Sequence, residues 1–232
     1  MSQAIKQHTD ISGGFYTVAE AARLLGMENY QRVSRWLRPT ASGNDPVIVR
    51  DYPKIGREHE LSFLDLMEVK FVEHFRQRNI SLQSLRVAAK NARRELGVSH
   101  PFAKSSVKFQ SDRKQIFLDT AKELGDRMLL NLMTNQIEIY KMIEATFDKD
   151  LEFDVDGFAR LWRPTPSLAP NVLVSPIFAF GRPVISDRRI PTKTIYDSWC
   201  ANERTVSVVG DWLRIDIGEV EEAIRFEERP LH

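Results

Sequence analysis

Residues 17–39 carry two short helix signals joined by a glycine turn, and no other stretch of the chain restricts its fold so tightly. Thr17 followed by Glu20 is a capping box, in which each side chain serves a free amide at the helix start. The helix it opens is expected from about Val18 to Leu25. Gly26 ends it, because glycine takes the left-handed turn at little cost. A second helix is expected from about Tyr30 to Leu37, and Pro39 cannot continue it. Two short helices about a tight turn form the helix-turn-helix pattern. Helical spacing puts Tyr30, Val33, Trp36 and Leu37 on one side of the second helix. Gln31, Ser34, Arg35 and Arg38 take the opposite side, with Arg32 at its edge. That outer side holds donors and cations and no carboxylate. A helix lying in a major groove against phosphates and guanine edges needs such a face.

Turn formers fill residues 40–60. Val47-Ile48-Val49 and the stretch from Ile55 to Leu61 supply the expected strands of a small hairpin, a wing. Lys54 and Arg57 lie there, placed to reach flanking phosphates. Ser62 with Asp65 opens a largely buried helix over about 63–77, and Ser81 opens another over about 82–96. The outer side of the latter carries Arg86, Lys90, Arg93 and Arg94, and Gly97 stops it. Alternation at 106–110 and 115–118, about Ser111-Asp112-Arg113, predicts a β-hairpin. A helix at about 135–145, a strand at 158–162, a proline-rich loop at 164–170 and an extended segment at 172–178 follow. Three short helices are expected at about 192–201, 205–212 and 216–226, with Thr205 and Asp216 as caps. The chain therefore reads as mainly α with small β elements. Residues 1–14 form a polar tail and 15–100 a winged helix-turn-helix domain. Residues 101–170 form a central α+β section suited to dimerisation, and 171–232 a helical domain ending in a three-helix unit.

Charge is spread unevenly. The net formal charge is +1, but residues 1–100 hold 15 Lys and Arg against 11 Asp and Glu, and the rest is mildly acidic. A basic front half fits a polyanionic partner. No apolar run reaches the roughly 18 residues that cross a bilayer. Residues 1–17 lack the apolar stretch of a secretion signal, so a cytoplasmic protein is expected. The single cysteine, Cys200, rules out a disulfide framework and multi-cysteine zinc patterns, and beside Trp199 it is expected to be buried. Asp148, Asp150, Asp154 and Asp156 are the best carboxylate cluster, and Asp154 and Asp156 share one strand face. No histidine accompanies them, and no calcium loop, phosphate loop or nucleophile elbow is present. They read as a solvated edge, and the chain as a non-enzyme without metal or cofactor.

The stretch Phe15-Tyr16-Thr17-Val18-Ala19-Glu20-Ala21-Ala22-Arg23-Leu24-Leu25-Gly26, with Arg32, Arg35 and Leu64-Asp65-Leu66, resembles the MerR-like winged-helix group over about residues 15–97. In that group the helix-turn-helix and wing bind DNA. Gly181-Arg182-Pro183-Val184-Ile185 and Arg189-Ile190-Pro191-Thr192, followed by short helices, resemble the small helical domain of VapB-type antitoxins over about 180–228. This second resemblance implies a PIN-like ribonuclease toxin as partner, and operator DNA through which the complex represses its own operon. Pro191 suits the first turn of a helix, and Arg182, Arg188 and Arg189 remain as cations. An arginine set among the carboxylates that hold Mg²⁺ in such a toxin competes with the metal through charge-assisted bonds. Readers of two half-sites are dimers, so a homodimer is expected. The rival expectation is a MerR-like regulator whose middle and tail enclose a small-molecule effector.

Overall fold

The computed structural model describes residues 13–53, 59–104, 107–135, 150–185 and 187–230. Among them the chain is mainly helical, with three small antiparallel strand pairs. Strand β1 (Tyr16–Thr17) leads directly into α1 (Val18–Leu24), and α2 (Gln31–Trp36) follows a short turn. Strand β2 (Glu60–Leu61) returns to pair with β1, setting Tyr16 opposite Leu61, and runs into α3 (Phe63–Gln77). Helices α4 (Leu82–Leu96), α5 (Val107–Leu124) and α6 (Arg127–Thr134) come next. Strands β3 (Leu151–Phe153) and β4 (Ala159–Trp162) form a hairpin, and β5 (Val172–Leu173) pairs with β6 (Val184–Ile185). Helices α7 (Thr192–Ala201), α8 (Val206–Leu213) and α9 (Ile217–Glu228) close the chain.

Local chemistry sets these boundaries. The Ser62 hydroxyl accepts from the Asp65 amide at 3.1 Å while the Asp65 carboxylate accepts from the Ser62 amide at 2.9 Å. Two of the four free amides at the start of α3 are satisfied that way. Gly97 ends α4 at φ +64, where a side chain would be strained.

One continuous core runs from Tyr16 and Trp36 through Phe63 and Phe117 to Trp162, Ile195 and Phe226. At its centre Phe71 stacks on Phe102 at 4.2 Å, and Phe75 stacks on Phe117 at 5.0 Å. Such pairs add about 0.5–1.5 kcal/mol each beyond the area they bury. The end of the chain folds back onto its beginning. Arg23 donates to the Glu227 carboxylate at 2.6 Å, and Arg229 donates to the Arg23 carbonyl at 2.9 Å. The buried Tyr16 hydroxyl donates to the Gly181 carbonyl at 2.7 Å. Tyr16→Phe leaves that carbonyl without its donor and is expected to lower stability by about 1–3 kcal/mol in urea denaturation.

Four sequence expectations are corrected. The region 107–124 is the helix α5 and not a hairpin. Its buried residues Ile116, Phe117, Thr120 and Ala121 recur at intervals of four, and Phe117 belongs to the aromatic cluster. Val47-Ile48-Val49 forms no strand: the amides of Val47 and Ile48 both reach the Trp36 carbonyl, at 3.0 and 3.3 Å, and cover the end of α2. The strand at Glu60–Leu61 pairs with β1 instead. Tyr30 precedes α2 and is exposed rather than packed. Cys200, near the end of α7, is exposed as well. The helix expected at 135–145 lies almost wholly outside the described residues, as do Lys54, Arg57 and Asp148.

Candidate nucleic-acid interface

The α1–turn–α2 unit is fixed from within. The Glu20 amide donates to Thr17 Oγ1 at 3.1 Å, and Glu20 Oε2 accepts from the Thr17 amide at 2.8 Å. Gly26 turns the chain at φ +67. Asn29 Oδ1 then accepts from the Gln31 amide at 3.0 Å and starts α2. Val33, Trp36 and Leu37 are buried beneath the helix. The opposite face presents Gln31 and Arg35, both exposed, with Ser34 half-buried between them; Arg38, expected on this face, is exposed but lies two residues past the end of the helix. Tyr30, 51% exposed, joins this surface at its start. No acid lies within α2; Glu28 and Asp45 flank it in sequence, and Asp45 faces Lys90 at 3.6 Å.

Arg32 is engaged with the protein itself. Its Nη1 donates to Glu73 Oε1 at 3.2 Å, its Nη2 lies 2.9 Å from Glu73 Oε2, and the guanidinium sits 5.8 Å from the Trp36 ring centre. It ties α2 to α3 and so holds the outward face in place. Arg93, expected on the outer side of α4, turns inward and donates to the carbonyls of Val47 and Pro46, at 3.0 and 3.4 Å. That brace supports the loop leaving α2.

Below this loop lies a buried ionic cluster. His100 Nε2 is 2.7 Å from Asp51 Oδ1, and His100 Nδ1 is 3.7 Å from Asp65 Oδ1. Glu68 is fully buried and accepts from the Phe102 amide at 2.7 Å. Burial pulls the imidazolium down, but the Asp51 hydrogen bond and the charges of Glu68, Asp65 and Asp51 outweigh it and raise the pKa to about 9. Burial pushes Asp65 up to about 6 and Glu68 up to about 7. Asp51, Asp65 and His100 also offer ligand atoms that all lie within 4.8 Å of one another; with the histidine protonated the three form an ion-pair network.

The second group of expected site residues lies elsewhere. Arg182, Arg188 and Arg189 are all exposed, around the β5–β6 pair. Arg189 stacks its guanidinium on Phe178 at 4.2 Å and has a left-handed backbone, φ +56. Of the acids expected in the β3–β4 region, Asp154 has a local role: its Oδ1 closes the hairpin by accepting from the Phe158 amide at 2.8 Å. An open groove of about 570 Å³ runs between α3 and the proline-rich loop, lined by Lys70, His74, Thr165 and Arg229 among others. Burial, with Arg78 and Lys70 nearby, holds the His74 pKa down to about 4, so its imidazole is neutral at pH 7.

Asn29 and Tyr30 carried a readable signal, an asparagine at a helix start followed by an aromatic before a polar face. Nothing local announces that Glu73 holds Arg32, or that His100 pairs with Asp51.

No protein-family model matches the chain, and no curated protein matches it. Its fold is similar to the crystal structure of Rv2018 from Mycobacterium tuberculosis, with a TM-score of 0.67 and 19% identity over 90% of this chain and 96% of that one.

Proposed function

We propose that this chain is a non-enzymatic, cytoplasmic antitoxin that binds operator DNA and neutralises a PIN-like ribonuclease toxin. The observation that carries the DNA half is the exposed, acid-free face of α2, with Gln31 and Arg35 outward, Arg38 exposed just past its end, and Arg32 holding the helix to Glu73. α1 and α2 act as a helix-turn-helix, with α2 in the major groove of one half-site and a second copy of the chain on the other. The toxin half rests on the antitoxin-like segment 181–192 and on its three exposed arginines. One of them enters the toxin's metal-binding carboxylates and displaces the cation, and the complex represses its own operon.

Co-expression with the neighbouring gene tests the whole. The expected outcome is co-elution with a small ribonuclease whose RNA cleavage is blocked, and binding of the complex to DNA upstream of the operon. Arg182→Ala, Arg188→Ala or Arg189→Ala should restore RNA cleavage in at least one case; undiminished inhibition by all three removes the arginine mechanism. The second reading, an effector-responsive regulator, is favoured by the groove beside α3, because Glu73 lines it and also holds Arg32. A co-purifying small molecule, with no toxin gene alongside, selects that reading.

A further inference from the structure

Phe180 stands nearly clear of the protein, 81% exposed. Burying such a ring stabilises a fold by about 1.5–3 kcal/mol, yet here it is held in water on an ordered segment. The backbone beneath it is unfavourable too. Ala179, Phe180 and Gly181 are three successive residues with positive φ, at 44°, 57° and 88°. The left-handed region costs a residue with a side chain about 1–2 kcal/mol. Such conformations persist where the surroundings enforce them, and they cluster at ligand clamps and switches.

The enforcement is visible. The Phe15 amide donates to the Phe180 carbonyl at 3.1 Å, and the Gly181 amide to the Phe178 carbonyl at 2.8 Å. The Tyr16 hydroxyl grips the Gly181 carbonyl at 2.7 Å. Gly181 admits no side chain, since a Cβ there collides with the Tyr16 hydroxyl. The backbone that carries the ring is thus held by hydrogen bonds from Phe15 and Tyr16, at the strand that opens α1. Its sequence neighbour Ile177 is 72% exposed, and Phe15, 54% exposed, stacks on Tyr52 at 4.6 Å. Arg182, Arg188 and Arg189 follow it, with Asp187 as the only acid between 176 and 190.

We propose that Phe180 is the anchor of a docking surface for a protein partner that offers an apolar pocket rimmed by carboxylates. This rests on the toxin reading above and names the side chain through which the toxin is held. A preorganised aromatic flanked by arginines is the composition of an interface hot spot. The ring gives persistence, and the arginines give orientation and speed of association. Because β1 holds the anchor, a partner seated there also touches the segment leading into the DNA-reading helices.

The test uses the full-length chain and the purified product of the adjacent gene in a direct binding measurement. Phe180→Ala is expected to weaken binding by about 30-fold or more, mainly through faster dissociation. Its unfolding midpoint and its affinity for operator DNA should stay at wild-type values. Arg182→Ala with Arg188→Ala should slow association, more at low salt than at high. Trp212→Ala, at another exposed aromatic on α8, should leave the affinity unchanged. If Phe180→Ala binds as wild type while Trp212→Ala does not, the anchor is misplaced and the antitoxin reading survives. Should the wild-type chain ignore the adjacent product altogether, that reading fails and the docking surface fails with it. If Phe180→Ala instead converts a homodimer of the chain alone into a monomer, the surface belongs to a second copy and the proposal is overturned.

Discussion

Replacing His100 with alanine is expected to lower the free energy of unfolding by about 3–5 kcal/mol, the range for removing one partner of a buried ion pair. His100 is 3% exposed, Asp65 and Glu68 are fully buried, and Asp51 closes the cluster from the loop after α2. Without the imidazolium, the buried Asp65 and Glu68 carboxyls lose their nearest positive charge, and Asp51, which reaches solvent, loses its hydrogen-bond partner. The pH dependence isolates the histidine. Its pKa rises from 6.5 to about 9 on folding. A group raised in this way stabilises fully below its unfolded pKa, and its contribution is lost as pH rises through the folded value. Glu68, raised to about 7, has the same sign over a lower range. His74, lowered to about 4, has the opposite sign below pH 6.5. Between about pH 7 and 9 His100 therefore dominates. Urea denaturation there should show stability falling by up to about 1.4 kcal/mol per pH unit. The His100→Ala protein should lose the histidine's share of that slope and keep only the part due to Glu68 and Asp65, whose pKa values rise once the imidazolium no longer lowers them. A wild-type curve that is flat or rising over that interval means the histidine is neutral in the folded protein.

The helices that position the α2 face could be read from the sequence because their starts are local. Thr17 with Glu20, Ser62 with Asp65, and Ser81 each lie within three residues of the amide they serve. Helices α3 and α4 accordingly begin and end where expected, at 63–77 and 82–96. Three of the failures depend on contacts between distant residues. The segment 106–118 alternates like a strand, and only the packing of Phe117 on Phe75 shows which of its apolar residues face inward. Leu61 chooses Tyr16 as its strand partner, and no spacing rule links them. Arg32 sits at the edge of an exposed face by helical geometry, yet Glu73, on another helix, takes its guanidinium. Phe180 falls just past the extended segment expected at 172–178, and nothing near it in sequence marks it, because its left-handed backbone is held by Phe15 and Tyr16 at the other end of the chain.

Arg35 and Arg38 carry the other large expected effect. Arg35 is exposed on α2, whose inner side is locked by Val33 and Trp36, and Arg38 is exposed two residues past its end, so their removal should leave the fold intact. An arginine reaching a guanine edge is worth about 1–3 kcal/mol, and one reaching a phosphate contributes to the release of counterions. The double substitution Arg35→Ala, Arg38→Ala is expected to weaken operator binding by roughly 100-fold or more. Gln31→Ala should cost less, because a neutral side chain releases no counterion.

The most direct measurement is fluorescence anisotropy of a labelled duplex from upstream of the chain's own gene, titrated with wild-type and doubly substituted protein from about 50 to about 200 mM salt. Tight wild-type binding that falls steeply with salt is predicted, with a weaker and shallower dependence for the double variant. Equal affinities for the two proteins, or a wild-type affinity indifferent to salt, would contradict the assignment of the α2 face to DNA.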